Sequence, residues 1–353
     1  MNLQSLGWNP FFANAFATFA KSEYSVGRVV LEHKNTYWLL SEHGEIQAMI
    51  AGRLRYQATG KHAFPAIGDW VVIKFVPGEG KAVIHAILPR KSKFSRKAAG
   101  DETTEQIVAA NVDNAFLVVG LDVDFNLRRI ERYLIDIRES GANPVVILNK
   151  ADICKNVSER ARETESVALG VTILITSAKA HEGLEAVGQF LSEGQTVALI
   201  GSSGVGKSTI INALVGENLQ KTQEVHFGSG RGRHATTRRE LIVLPSGGMV
   251  IDTPGMRELQ LWSGREGIQE TFEDIESVAK DCYFRDCRHE NEPNCAVKEA
   301  MAAGHLSPQR LTNYLKMQKE LILAVARQNQ RLKLEEKQRV KRVTKAFNRA
   351  KSR

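Results

Sequence analysis

A multidomain architecture is predicted: a small β-barrel, then an α/β domain around a parallel sheet, then a helical, cysteine-bearing end with a basic tail. Three observations predict it. Short strand-like stretches crowd residues 24–97. Continuous apolar runs alternate with helical patterns across residues 98–262, and one of them leads into Gly201-Ser-Ser-Gly-Val-Gly206-Lys207-Ser208. Three of the four cysteines then fall between 282 and 295.

Residues 1–23, MNLQSLGWNPFFANAFATFAKSE, lack the basic start and long apolar core of a signal peptide. Their aromatics and alanines suit a short helix docked on the body. From 24 to 97, RVVLEHKNTYWLL, EIQAMIAGRLRY, DWVVIKFV and KAVIHAIL carry β-branched and aromatic residues with partial alternation, broken by turns such as PGEG. Such a series suits a small closed barrel such as an OB-fold, and equally another small β domain.

In 98–262, NAFLVVG (114–120), VVILN (145–149), TILIT (172–176) and TVALI (196–200) read as parallel strands buried on both faces, with LIVL (241–244) and GMVID (248–252) continuing the sheet. Gly201, Ser202, Ser203, Gly204, Val205, Gly206, Lys207 and Ser208 follow a strand and open a helix, with Thr209 next. Such a loop wraps backbone N–H groups round a phosphate chain, its lysine reaches the β- and γ-phosphates, and its serine ligates Mg²⁺. Asn149-Lys150-Ala151-Asp152 also follows a strand. An aspartate there accepts from N1–H and the 2-amino group of guanine, donors that adenine lacks. Ser177-Ala178-Lys179 supplies the companion loop at O6. The expected nucleotide is therefore GTP. Asp252-Thr-Pro-Gly255 ends a strand, so Asp252 is expected in the Mg²⁺ shell and the Gly255 N–H at the γ-phosphate. Between them HFGSGRGRHATTRREL reads as a first switch whose Thr236 or Thr237 completes the metal shell. The base loops precede the phosphate loop, so the domain is circularly permuted. Permutation preserves packing where chain ends lie close in space.

Residues 263–330 read as helical. Cys282-x4-Cys287-x-His289-x5-Cys295 is a Cys₃His set for one structural Zn²⁺, closed to catalysis. Cys154 stands apart and reads as a small packed residue. Ser307-Pro308 starts a helix that meets neither Gly nor Pro before Arg353. Net charge is +8, and residues 331–353 hold ten Lys or Arg against two Glu, leaving 38 of each sign elsewhere. This tail is expected to contact RNA phosphates. With no apolar run long enough for a membrane helix, a soluble, cytoplasmic protein with no membrane partner is expected. Its thiols are expected to be reduced or metal-bound.

Together, the barrel, NKAD, SAK, GSSGVGKST, RHATT and DTPG in permuted order, and the Cys₃His spacing resemble the ribosome small-subunit-dependent GTPase A family across roughly 24–320. GDWV (68–71) and DCRHENEPNCAV resemble that family's wording too. The resemblance implies an OB-fold barrel, a GTP-hydrolysing domain and a zinc domain that helps grip the small ribosomal subunit and its rRNA. It implies late maturation of the 30S subunit as the function, with hydrolysis stimulated by that subunit, and a monomer is expected. Ras-like enzymes orient the attacking water with a glutamine after the second-switch glycine. Here Met256 stands there, and the resemblance assigns catalysis to a first-switch histidine, His234, beside Lys207. Two other readings use the same residues: a GTPase of the large subunit, and a GTP-binding RNA scaffold with little turnover.

Overall fold

The computed structural model describes residues 2–19, 23–33, 35–98, 101–216, 240–252 and 265–326. It divides into two units, one of residues 1–96 with 105–260, the other of 97–104 with 261–353.

In the first unit, β1 (Ser25–His33), β2 (Thr36–Ser41), β3 (Gly44–Ile50), β4 (Trp70–Val76) and β5 (Lys81–Ile87) run in the order β1-β2-β3-β5-β4, and β1 pairs again with β4. That second pairing closes the barrel, and the parallel β3–β5 pair is its only parallel one among the described strands. This is the OB-fold. The stretch AGRLRY, expected as strand, instead forms helix α2 (Gly52–Gln57): β3 has its last β2 partner at Met49–Thr36 and its last β5 partner at Ile50–Ile84, so the ladder ends before Gly52. The amino-terminal helix α1 (Pro10–Ala17) is capped by Asn9, whose side chain accepts from the Phe11 N–H. It covers the outer face of β4: the Trp8 ring meets Trp70 edge-on at 4.8 Å, and Phe12 is buried beside them. Trp70 through Ile73 are consequently buried on both faces.

The bidentate pair Arg90–Asp69, at 2.7 and 2.6 Å, explains the aspartate of GDWV. Asp69 is fully buried and also accepts from the Ala66 N–H, while Arg90 donates to the carbonyls of His62 and Phe64. Burial raises the Asp69 carboxyl above its ordinary range, and Arg90 opposes that rise. The pair holds the loop that leads into β4.

Strands β6 (Lys93–Ala98) and β7 (Asp101–Ala110) form a two-stranded sheet and precede the α/β part. There β8 (Asn114–Gly120), β9 (Asn143–Asn149), β10 (Thr172–Ile175), β11 (Thr196–Ile200), β12 (Glu240–Val243) and β13 (Met249–Asp252) lie in the order β10-β9-β8-β11-β13-β12. All pairs are parallel except β12–β13. Burial on both faces explains the unbroken apolar runs, for example all five residues of β11. Helices α3 (Leu127–Ser140), α4 (Val157–Glu165), α5 (Leu184–Gly188) and α6 (Lys207–Val215) complete the layers.

The barrel and this sheet are continuous, since Leu31 of β1 pairs with Glu240 of β12. Arg28 reinforces the joint. Its buried guanidinium donates to the Asn111 carbonyl (3.1 Å), Thr196 Oγ1 (2.8 Å) and the Gly68 and Leu6 carbonyls. Burial lowers its pKa to about 10, so it remains a cation at neutral pH.

The second unit contains α7 (Glu266–Thr271), α8 (Glu273–Ala279), α9 (Ala296–Ala302) and a helix α10 that starts at 308 and is described to 326. Ile268, Phe272, Ile275, Val297, Leu311 and Tyr314 are buried in it. Arg310 clamps Asp274 with two bonds of 2.6 and 2.8 Å and lies over the Phe272 ring. Residues 281–295 contain no helix or strand.

Candidate functional site

Four parallel strands bring their carboxyl ends to one edge of the sheet, where ligands bind in α/β folds. β9 ends at Asn149, β10 leads to Ser177, β11 runs into Gly201, and β13 ends at Asp252. The permuted chain order thus has no spatial consequence here: β9, β8 and β11 are neighbours whatever their order along the chain.

Asn149 joins three loops. It is 3% exposed, its Nδ2 donates to the Val205 carbonyl at 2.8 Å, and its Oδ1 accepts from Thr176 Oγ1 and the Ala178 N–H at 3.1 and 3.0 Å. Gly206 makes this approach possible. A Cβ there would lie 2.2 Å from Asn149 Nδ2, and its φ of +102° suits glycine. Ser177 Oγ donates to Asp152 Oδ1 at 2.7 Å, so the companion loop orients the guanine-selecting candidate. Lys150 adopts φ +68°, and its ammonium meets Asp122 Oδ2 at 2.5 Å.

The phosphate loop turns at Gly201, Gly204 and Gly206, all with positive φ. Lys207 Nζ donates to the carbonyls of Gly201 and Ser202, at 2.7 and 2.5 Å, so its charge is held over the loop. Lys207, Ser208 and Thr209 open α6, where the helix dipole favours an anion. Burial raises the Asp252 carboxyl above its usual range, and the nearby Lys207 charge opposes the rise. That proximity brings β13 and the phosphate loop into one site.

In the second unit Cys282, Cys287, His289 and Cys295 present ligand atoms all within 4.8 Å of one another. Cys282 Sγ lies 3.9 Å from Cys295 Sγ and 3.7 Å from His289 Nδ1, which is 3.4 Å from Cys295 Sγ. A tetrahedral cation with sulfur at about 2.3 Å sets sulfur–sulfur edges of about 3.8 Å, so the set fits a structural metal ion. Desolvation first, then the Cys282 and Cys295 sulfurs, push the Cys287 thiol up to about 11, and coordination favours the thiolate instead. Positive φ at His289 and Asn294 lets the short loop fold back on itself. Glu292 shapes it by accepting from the N–H groups of Arg288, Glu290 and Asn291.

The RsgA GTPase family model matches residues 87–262. A small ribosomal subunit biogenesis GTPase RsgA of Opitutus terrae is 46% identical over 352 residues, covering 97% of this chain and 96% of that protein. This chain belongs to the RsgA GTPase family. A second protein of that description, from Syntrophotalea carbinolica, is 44% identical over 332 residues, covering 92% of this chain and 91% of its own length. The crystal structure of YjeQ from Thermotoga maritima matches with a TM-score of 0.64 at 30% identity, covering 85% of this chain and 99% of that one. The crystal structure of YloQ, a circularly permuted GTPase, matches with a TM-score of 0.63 at 24% identity, covering 86% of this chain and 96% of that one, a likeness of fold. An ABC transporter model also matches 184–348, and what the two kinds of NTPase share is the strand, phosphate loop and helix at 196–215.

As an RsgA GTPase the chain is a GTP-hydrolysing enzyme. Of the expected site residues, Asn149, Lys150, Asp152, Ser177, Ala178, Lys179, Gly201–Ser208, Thr209 and Asp252 lie along the one edge, and the four metal-ligand candidates lie together. His234, Thr236, Thr237, Gly255 and Met256, and the tail 331–353, lie outside the described residues. Sequence reasoning missed two neighbours of the site. Asp122 meets Lys150, while Arg129 joins α3 to Ser202 of the phosphate loop at 2.9 Å. No motif marks these residues. The one available signal was an acidic residue just after the β8 run.

Proposed function

We propose that this RsgA GTPase couples GTP hydrolysis to late maturation of the small ribosomal subunit and is stimulated by that subunit. One observation carries the reading: near-full-length similarity to proteins named for small ribosomal subunit biogenesis, in a chain whose base loop and phosphate loop share one sheet edge. Asp152 accepts from the guanine N1–H and 2-amino groups, and the Lys150 stem covers the base. The N–H groups of Gly201–Ser208 cradle the phosphates, and Lys207 offsets charge on the β- and γ-oxygens. Ser208, Asp252 and one of Thr236 or Thr237 would hold Mg²⁺, which supplies further charge neutralisation when bound. The Gly255 N–H senses the γ-phosphate. His234 serves in place of the missing water-orienting glutamine, so unstimulated hydrolysis is slow.

Zinc is the proposed metal at Cys282, Cys287, His289 and Cys295, and the basic tail adds salt-sensitive contacts to rRNA phosphates. Cytoplasmic work by a monomer belongs to the same reading. Among the described residues no helix is long and apolar enough to cross a membrane.

The test is GTP hydrolysis by the protein alone, with isolated small subunits and with isolated large subunits, at two salt concentrations. Stimulation by small subunits only, weakening with salt, is the expected result. Stimulation by large subunits would move the partner. No stimulation by either would favour the scaffold reading that Met256 suggests.

A further inference from the structure

The loop between β8 and α3, residues 121–126, touches both halves of the nucleotide site. The Leu121 N–H donates to the Asn149 carbonyl at 2.8 Å and so extends the β8–β9 pairing into the loop. Asp122 then turns back. Its Oδ1 accepts from the Asp124 N–H at 3.0 Å and its Oδ2 takes the Lys150 ammonium at 2.5 Å. Gly120 leaves the room for this, since a Cβ there would lie 2.8 Å from Asp122 Oδ1. Further along, Arg129 pairs with Asp124 and donates to Ser202 Oγ of the phosphate loop at 2.9 Å.

Lys150 needs such support. A side chain other than glycine is disfavoured at φ +68°, so its conformation is imposed by its surroundings. Lys150 and Asp122 both have partly buried side chains, 29% and 22% exposed. A lysine stem otherwise explores many rotamers, and fixing one in advance removes that entropy from the binding step.

We propose that Asp122 is a positioning residue for the guanine nucleotide, holding Lys150 with its stem ready to lie across the base. The proposal rests on the base-loop role given to Lys150 above. Asp122 touches no reacting atom and acts through the lysine. The hydrogen bond from Lys150 also holds the Asp122 carboxyl below its usual range, so the pair is ionic throughout the neutral region.

The test measures affinity for GDP and IDP, with kcat at saturating GTP, in four proteins: wild type, Asp122→Asn, Lys150→Met and the double variant. Asp122→Asn keeps an oxygen for the Asp124 N–H and removes only the charge facing Lys150. It is expected to weaken GDP and IDP alike by about tenfold, the worth of one charge-assisted hydrogen bond. The GDP-to-IDP ratio, set at the base edge by Asp152, and kcat should stay unchanged. In the Lys150→Met background, which has a stem but no ammonium, the same substitution should cost less than about twofold. Equal losses in both backgrounds would assign Asp122 a loop-shaping role and overturn the proposal, as would an Asp122→Asn protein that binds like wild type. A wild type that fails to bind GDP would instead sink the guanine reading, and this proposal with it. Thermal melting of each variant confirms that the fold is retained.

Discussion

The two units of this protein solve the problem of stability in different ways. The first buries Trp70, Phe94, Phe116 and the central strands β8, β9 and β11 in hydrocarbon. The second has a smaller apolar cluster around Phe272 and Tyr314, and its metal-ligand candidates sit on a stretch, 281–295, with neither helix nor strand. In the first, order is spread over many side chains. In the second, four metal-ligand candidates and the N–H bonds to Glu292 concentrate it in one short loop, so a single change among the candidates is expected to loosen that loop.

The comparison breaks most directly on metal removal. Structural zinc in small peptides contributes about 10–16 kcal/mol at neutral pH. Chelation or Cys282→Ser should therefore release amide-exchange protection across 281–302, while strands β8 and β9 keep theirs. Loss of protection in both units would show that the first depends on the metal after all.

A large single-residue effect in the first unit is expected at the bidentate clamp on its fully buried Asp69. Asp69→Ala leaves Arg90 without its bidentate partner and should cost about 3–5 kcal/mol of unfolding free energy, read by denaturant titration. A loss below about 1 kcal/mol would mean that water or another group replaces the aspartate.

Function and stability should separate in the first unit as they do not in the second. Lys207→Ala should lower GTP hydrolysis at least about a hundredfold, the effect of removing one preorganised charge from a phosphoryl transfer, with little change in melting temperature. A melting temperature that fell with the activity would make the lysine part of the scaffold.

The smallest effect concerns pH. Asp122 has a folded pKa below its unfolded value, so whatever its pair contributes is present above the unfolded pKa of about 3.9 and is lost as pH falls through the folded one. The contribution of this pair to GDP affinity should be flat from about pH 5 to 9. It can be measured as the ratio of wild-type to Asp122→Asn affinity across that range.

Sequence legibility follows the same division. The loops at 149–152, 177–179 and 201–208 and the cluster at 282–295 are short, and each needs particular residue types at particular spacings. Phosphate, guanine and metal chemistry leave few substitutes, so these stretches can be read without the fold. Arg28 could not be. In RVVLEH it reads as an ordinary strand charge, yet it is fully buried between the barrel and the nucleotide sheet. Asp122 and Glu292 were hidden for a similar reason, being common acidic residues whose partners are specified only by the folded loop. The helix at 52–57 was misread as strand because its apolar content is uninformative, and the β3 ladder ends at Ile50, just before it.

What the sequence determined by itself was the chemistry and the layers: a β-barrel, a parallel sheet carrying a phosphate loop and a guanine loop, and a Cys₃His cluster. These depend on local periodicity and on residue types that bind a ligand directly. Only the tertiary structure decided that β1 continues the sheet through β12, that Arg28 fills the joint, and that Asp122 meets Lys150. Those contacts join residues far apart in the chain through common side chains, and distance between such residues is set by packing rather than by spacing along the sequence.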